Sequence, residues 1–270
     1  MSGKFSLTKL PSSRRTVVDL LRIVGGKAVP AYIVVDLDST WVNTFIQRSK
    51  NKGHRLTVTS ILMKAIGLAQ QNHPLSRTEL TAIGKTVTYH DIVGGITIER
   101  DVDGQKTVFF GEIESPDTKS IYEIAHELRE YSKVAIEKSA VLKLQALFAA
   151  FPYFLRFSIL KLGIAFPFLR LQCQKATFGL TSLGKFGMNT VLSPCICTST
   201  FAVGTIEDRV TAKNNVLSIR SMMTVSFSFD HRVIDPNSAA RFVDDVRRLM
   251  EGGLQPVLED NSSRAEIIAC

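Results

Sequence analysis

Apolar positions along the chain recur with two periods, one helical and one of alternating residues, and the two kinds of stretch follow each other from end to end. Ser39 to Lys52 and Thr57 to Gln71 predict helices, the second with Leu62, Ile66 and Ala69 on one face. Val93 to Glu99 and Lys106 to Glu114 predict strands joined at Asp103-Gly104. Thr118 to Lys138 predicts a charged helix with Ile121, Ile124, Ala125 and Leu128 at helical spacing, starting at Ser120 or Thr118. Near the C-terminus, Val225, Phe227 and Phe229 alternate with Ser226, Ser228 and Asp230, the pattern of a half-buried strand, and His231 follows at its end. Asp235 then precedes Pro236 and an apolar series of Ala239, Phe242, Val243, Val246, Leu249 and Met250, so Asp235 reads as an N-cap with proline at the first helical position.

Residues 140–175 break this pattern. Phe148, Phe151, Phe154, Phe157, Phe166 and Phe168 interleave with Leu and Ile, and the charges between Lys138 and Lys175 are all basic: Lys143, Arg156, Lys161 and Arg170. The uncharged run Leu144 to Leu155 is interrupted by Pro152 and falls short of the roughly 20 residues a spanning helix needs. Two amphipathic helices fit better, Val141 to Ala150 and Tyr153 to Leu162, followed by a turn around Gly163 and Pro167. Three roles stay open for this basic insert: extra core on the domain or a neighbouring subunit, a pair lying on an anionic membrane with Arg156 and Lys161 toward the lipid, or a lining that admits a long acyl chain.

The 270 residues, 45% hydrophobic and 21% charged, suffice for one large domain spanning 1–270, and no Pro- or Ser-rich linker divides them. A net charge of +8 suits an anionic membrane or a polyanionic ligand. Nucleic acid is the weaker partner: zinc-finger spacing, a helix-turn-helix and aromatic RNA-binding signatures are missing, so no nucleic-acid role is expected. Cys173, Cys195, Cys197 and Cys270 offer no disulfide framework, and Cys195-x-Cys197 reads as part of a strand alternating with Ile196. No metal site is expected, since His54, His73, His90 and His126 lack ligand spacing. An apolar leader does not follow Met1, so the expected location is cytoplasmic, with attachment to a membrane periphery if the insert lies on lipid.

On the residues alone, His231 reads as a strand-end histidine, Asp235 as a cap and Thr181 as an ordinary strand threonine. Six segments add to that. Phe229-Asp-His-Arg-Val-Ile-Asp235 resembles the His-Arg-x-x-Asp-Gly signature of the dihydrolipoamide acyltransferases, the core components of 2-oxo acid dehydrogenase complexes, and the His-x-x-x-Asp part is also that of chloramphenicol acetyltransferase. Phe178-Gly-Leu-Thr-Ser-Leu-Gly-Lys-Phe-Gly187 is similar to the family's Phe-Thr-x-Ser-x-Leu-Gly-x-Phe-Gly segment, and Phe201-Ala-Val-Gly-Thr-Ile206 to the stretch after it. Upstream, Ser13 to Val18, Val29 to Asp36 and His90 to Gly94 resemble the opening helix, first strand and mid-domain strand of the catalytic domain.

The resemblance implies a chloramphenicol acetyltransferase-like fold, α/β in the two-layer α+β sense, with a mixed sheet and flanking helices. It implies acyl transfer between coenzyme A and a thiol, with His231 as the base and Thr181 as the hydroxyl donor to the oxyanion, Ser182 beside it. Asp235 would hold the histidine-bearing turn by pairing with Arg14, Arg15 or Arg232. Pro236 replaces the family's glycine: harmful if that position needs a positive φ, harmless if it is simply the first helical residue, which the Asp-Pro-Asn-Ser sequence favours. The family's site lies between subunits of a homotrimer, and cages of trimers occur. No lipoyl domain is expected on this chain, so a dihydrolipoyl group would come from a carrier protein in trans, or the acceptor is another molecule. The alternative is a non-catalytic trimeric assembly or membrane-associated scaffold.

Overall fold

The alternation around Phe227 builds a central strand of the fold. In a computed structural model of the chain, residues 12–25, 28–81, 84–102, 105–133, 140–166, 175–213 and 215–258 are described. A six-stranded mixed sheet runs in the order β1-β8-β7-β6-β4-β5, from β1 (Pro30–Asp38), β4 (Val93–Val102), β5 (Gln105–Glu114), β6 (Phe178–Ser182), β7 (Ser199–Lys213) and β8 (Val216–Asp230). Strand β6 pairs in parallel with β4 and β7, and the other pairs are antiparallel. A separate two-stranded ladder joins β2 (Thr78–Leu80) and β3 (Thr86–Thr88).

Four helices supply the apolar cover of this sheet: α2 (Thr40–Asn51), α3 (Val58–Asn72), α4 (Ile121–Lys133) and α7 (Pro236–Arg248). Val42, Leu62, Ile66, Ile124, Phe242 and Val246 from these helices join Phe178, Phe201, Phe227 and Phe229 from the strands in one buried cluster. Period-2 patterning does what it should on β1, where Ala31, Ile33, Val35 and Leu37 pack against the cluster while Tyr32, Val34 and Asp36 are exposed. The family resemblance therefore describes the fold correctly at the level of layers.

Local signals set the helix starts. Thr57 caps α3 in a reciprocal box with Ser60. Ser120 does the same for α4: its hydroxyl accepts from Glu123 N at 3.2 Å, and its own N–H donates to Glu123 Oε2 at 2.8 Å. The helix expected from Thr118 thus begins at Ile121, and its expected end, 134–138, lies outside the described residues, as does the Asp103-Gly104 turn between β4 and β5.

Two expectations are corrected. Cys195 and Cys197 lie in an irregular segment before β7, not in a strand, because the Cys195 thiol folds back to donate to the Cys197 carbonyl at 2.8 Å. Gly163 is buried inside α6 (Tyr153–Ala165), which continues past it, and Pro167 lies outside the described residues.

The insert does form two helices, α5 (Ala140–Ala150) and α6. Both pack against α1 (Ser12–Gly25), and α5 and α1 also contact β5, the edge strand. Gln145 fits this edge: its Oε1 accepts from Phe110 N at 3.0 Å and its Nε2 donates to Phe110 O at 2.7 Å, so a side-chain amide occupies the place of a neighbouring strand. The alternation of Val225 to Asp230 predicts only the inner half of the long β7–β8 hairpin. Beyond Ile206 and Met222 it projects from the sheet as a two-stranded arm, with Val210, Val216, Leu217 and Ile219 exposed.

Candidate active site

The sharp end of β8 is built to present an imidazole. Asp230, buried at 7% exposure, accepts from Arg232 Nε at 2.9 Å and Arg232 Nη2 at 2.6 Å, and from the N–H of Arg232 at 3.1 Å and of Val29 at 3.3 Å. Its carbonyl receives Val233 N and Ile234 N at 3.0 Å each. Burial works to raise the Asp230 carboxyl, but these donors, Arg232 first among them, outweigh it and hold the carboxyl below its ordinary range. His231 rides on this clamped turn with its side chain exposed and its own N–H bonded to Val29 O at 2.9 Å.

One tautomer of the neutral imidazole suits its surroundings. Its Nδ1 lies 3.3 Å from Ile234 O, and a carbonyl oxygen can only accept. The form with hydrogen on Nδ1 satisfies this contact and leaves Nε2 as the proton acceptor. A proton acceptor at a rigid, solvent-reachable strand end is what a general base requires.

Asp235 takes the capping role that its place before Pro236 predicts. It caps α7: Oδ1 accepts from Asn237 N and Ser238 N at 3.0 Å each, and Oδ2 from Ser238 Oγ at 2.6 Å. The Ser238 hydroxyl, then the backbone donors, hold its carboxyl below the usual value. Of the three arginines expected to pair with it, Arg232 is committed to Asp230. Arg15 sits on α1, along β5 at the opposite edge of the sheet, and the side chain of Arg14 lies outside the described residues. The carboxylate that steadies the turn is Asp230, the residue immediately before His231. Pro236 is the first residue of α7, where its fixed φ and missing donor cost nothing.

Thr181 lies near the end of β6, half-buried, with its hydroxyl 3.0 Å from that of Thr97 on β4, while Ser182 beside it is exposed. The chain leaves β6 through a short 3-10 turn and returns against β7 at close range. An added Cβ on Gly184 would stand 2.8 Å from Gly204 O, and one on Gly204 would stand 2.0 Å from Asn189 O. Thr205 ties the two together, donating from its N–H to Met188 O at 2.8 Å and from its hydroxyl to Gly184 O at 2.8 Å. This backbone contact explains why glycines occupy both segments around the hydroxyl-bearing strand end.

The register separates the two chemical groups. Thr181 pairs with Ala202, which pairs with Ser226, five residues before His231 and two strands away. At about 3.4 Å per residue and 4.8 Å per strand, Thr181 and His231 are about 20 Å apart within one chain. One thioester cannot touch both. The Cys195 thiol is buried, and burial pushes its pKa well up, so it is protonated and a poor nucleophile.

A family model described as the catalytic domain of the 2-oxoacid dehydrogenases acyltransferase matches residues 3–143 and 170–258. The chain belongs to this family. The match leaves 144–169, nearly all of the α5–α6 hairpin, outside the family's common pattern. A lipoamide acyltransferase component of a branched-chain alpha-keto acid dehydrogenase complex from Pseudomonas putida is 38% identical over 85 residues, covering 30% of this chain and 20% of that protein. The chain spans less than half the length of the curated relatives it matches. Among solved structures, the cubic core of a pyruvate dehydrogenase multienzyme complex superposes with a TM-score of 0.70 at 20% identity, covering 94% of this chain and 96% of that one. Chloramphenicol acetyltransferase superposes with a TM-score of 0.50 at 13% identity, covering 93% and 100%. At these identities the structures establish a shared fold.

Proposed function

We propose that this acyltransferase domain moves an acyl group between coenzyme A and a dihydrolipoyl thiol, at a site completed by two copies of the chain. The observation that carries the reading is the exposed imidazole of His231 at a clamped strand end, with Nδ1 3.3 Å from Ile234 O and Nε2 left to accept a proton. In the forward direction, Nε2 takes the proton of the attacking thiol, and the thiolate adds to the thioester carbonyl. The resulting oxyanion accepts a hydrogen bond from the Thr181 hydroxyl of a neighbouring copy, with Ser182 as the adjacent donor. Collapse breaks the original carbon–sulfur bond, and the departing thiolate recovers the proton from the imidazolium.

The separation of Thr181 and His231 in one chain supports convergence from two copies, and a cyclic homotrimer would supply it at three equivalent interfaces. The apolar arm of β7–β8 offers a surface for such contacts. Assembly of trimers into a larger core is the corresponding reading for the family fold. In this reading a lipoylated carrier supplies the dihydrolipoyl group, and the working compartment is the cytoplasm.

The test is turnover of acetyl-, propionyl- and a long-chain acyl-coenzyme A with free dihydrolipoamide, for the native chain and His231→Ala. Transfer by the native chain, reduced by about three orders of magnitude or more in the variant, is the expected result. Equal rates in both would remove His231 as the base, and absence of transfer with any thioester would favour the non-catalytic scaffold.

A further inference from the structure

The helices that the family pattern does not cover are inside-out. On α6, Arg156 points inward at 3% exposure: its Nε and Nη2 reach Asp19 Oδ2 on α1 at 2.9 and 2.6 Å, and its Nη1 donates to Phe151 O at 2.5 Å. Residues on the opposite face of the same helix, Phe154, Leu155, Ser158, Lys161 and Leu162, are exposed. On α5, the exposed face is Lys143, Leu144, Ala146, Leu147 and Ala150. Phe154 keeps 71% of its surface open, Leu144 67% and Leu147 57%. A helix facing water would show the reverse, with its arginine outside and its leucines within. Here the one arginine is neutralised internally, and what remains outward is large apolar side chains with two lysines.

We propose that this face lies on the surface of an anionic lipid bilayer. Charge decides the occupant. Residues 140–166 contain no Asp or Glu, and with Arg156 paired to Asp19, the exposed charges on the two helices are Lys143 and Lys161, both positive. A bilayer with anionic headgroups satisfies the apolar side chains and the lysines together, the apolar ones inserted at the acyl boundary and the ammonium groups at headgroup level. Length agrees: helices of 11 and 13 residues are about 17 and 20 Å long, too short to cross a hydrocarbon core of about 30 Å. Among the described residues no helix is long and apolar enough to span.

Vesicle flotation tests this without any turnover, so it stands or falls separately from the catalytic reading. The native chain is expected to float with phosphatidylcholine vesicles containing phosphatidylglycerol, and weakly with phosphatidylcholine alone. Leu147→Ser with Phe154→Ser should abolish flotation on both while leaving the circular dichroism unchanged, since both side chains are exposed. Lys143→Gln with Lys161→Gln should weaken partition about thirtyfold on the anionic vesicles and leave the zwitterionic value unaltered. Failure of the native chain to float, or flotation undiminished by the serine pair, overturns the proposal. So does a fall in oligomeric mass of the serine pair by light scattering, which would make this face a contact between copies of the chain.

Discussion

The imidazole of His231 is only as well placed as the carboxylate before it. Asp230 receives four donors from Arg232 and Val29 while nearly buried, and its charge is favoured by folding. A carboxyl whose pKa is lower in the folded than in the unfolded chain adds stability above the unfolded value, and that stability is lost as pH falls through the folded value. Asp230→Asn, which keeps the shape and loses the charge, should therefore lower the urea midpoint at pH 7. The gap to the native chain should begin to narrow as pH falls below about 4, the ordinary aspartate value, and close only at the lower pH where the native carboxylate itself protonates. A gap independent of pH would show that the charge contributes nothing. At this scale His231 and the cap at Asp235 were legible because strand ends and helix starts are local events. The pairing of Arg232 with Asp230 was not, because a pattern of apolar and polar positions does not say which of two nearby carboxylates an arginine will reach.

Among the elements, α6 shows where periodicity stops being informative. Its sequence has apolar residues all round, so the one face that turns inward is chosen by Asp19, more than a hundred positions away on α1. With both side chains almost wholly buried, Arg156→Met alone should leave an uncompensated carboxylate and cost about 3–5 kcal/mol, while adding Asp19→Leu should recover most of that loss. Guanidinium denaturation of the single and double variants checks this; a double variant no more stable than the single would mean the pair is not held as an isolated couple. The sequence expectation of Arg156 toward lipid fails for the same reason. The starts of α3, α4 and α7 were readable from Thr57, Ser120 and Asp235, where capping groups sit within three residues of their partners. The outer half of the β7–β8 hairpin escaped because Val210, Leu217 and Ile219 are exposed in one copy, and a strand without a buried face carries no alternation to detect.

For the whole molecule, the 20 Å between Thr181 and His231 turns a question of catalysis into one of assembly. If each site takes its histidine from one chain and its hydroxyl from the next around a three-fold axis, a chain lacking either group is inactive with itself but can complement the other. Consider His231→Ala and Thr181→Ala co-expressed in equal amounts. Random assembly makes three quarters of the trimers mixed, and any mixed trimer, with two copies of one variant or two of the other, has one interface of three that joins an intact histidine to an intact threonine. Activity should therefore recover to about one quarter of the native value. Mixing separately assembled homotrimers without dissociation should give none of this recovery. Were both groups drawn from the same chain, no combination would restore turnover, because every chain present lacks one of them. The amplitude is as informative as the sign: recovery above a quarter in fully exchanged samples, with residual turnover by the Thr181→Ala chain alone, would mean that Thr181 is not the sole donor, and Ser182→Ala in the same background would then identify the second hydroxyl.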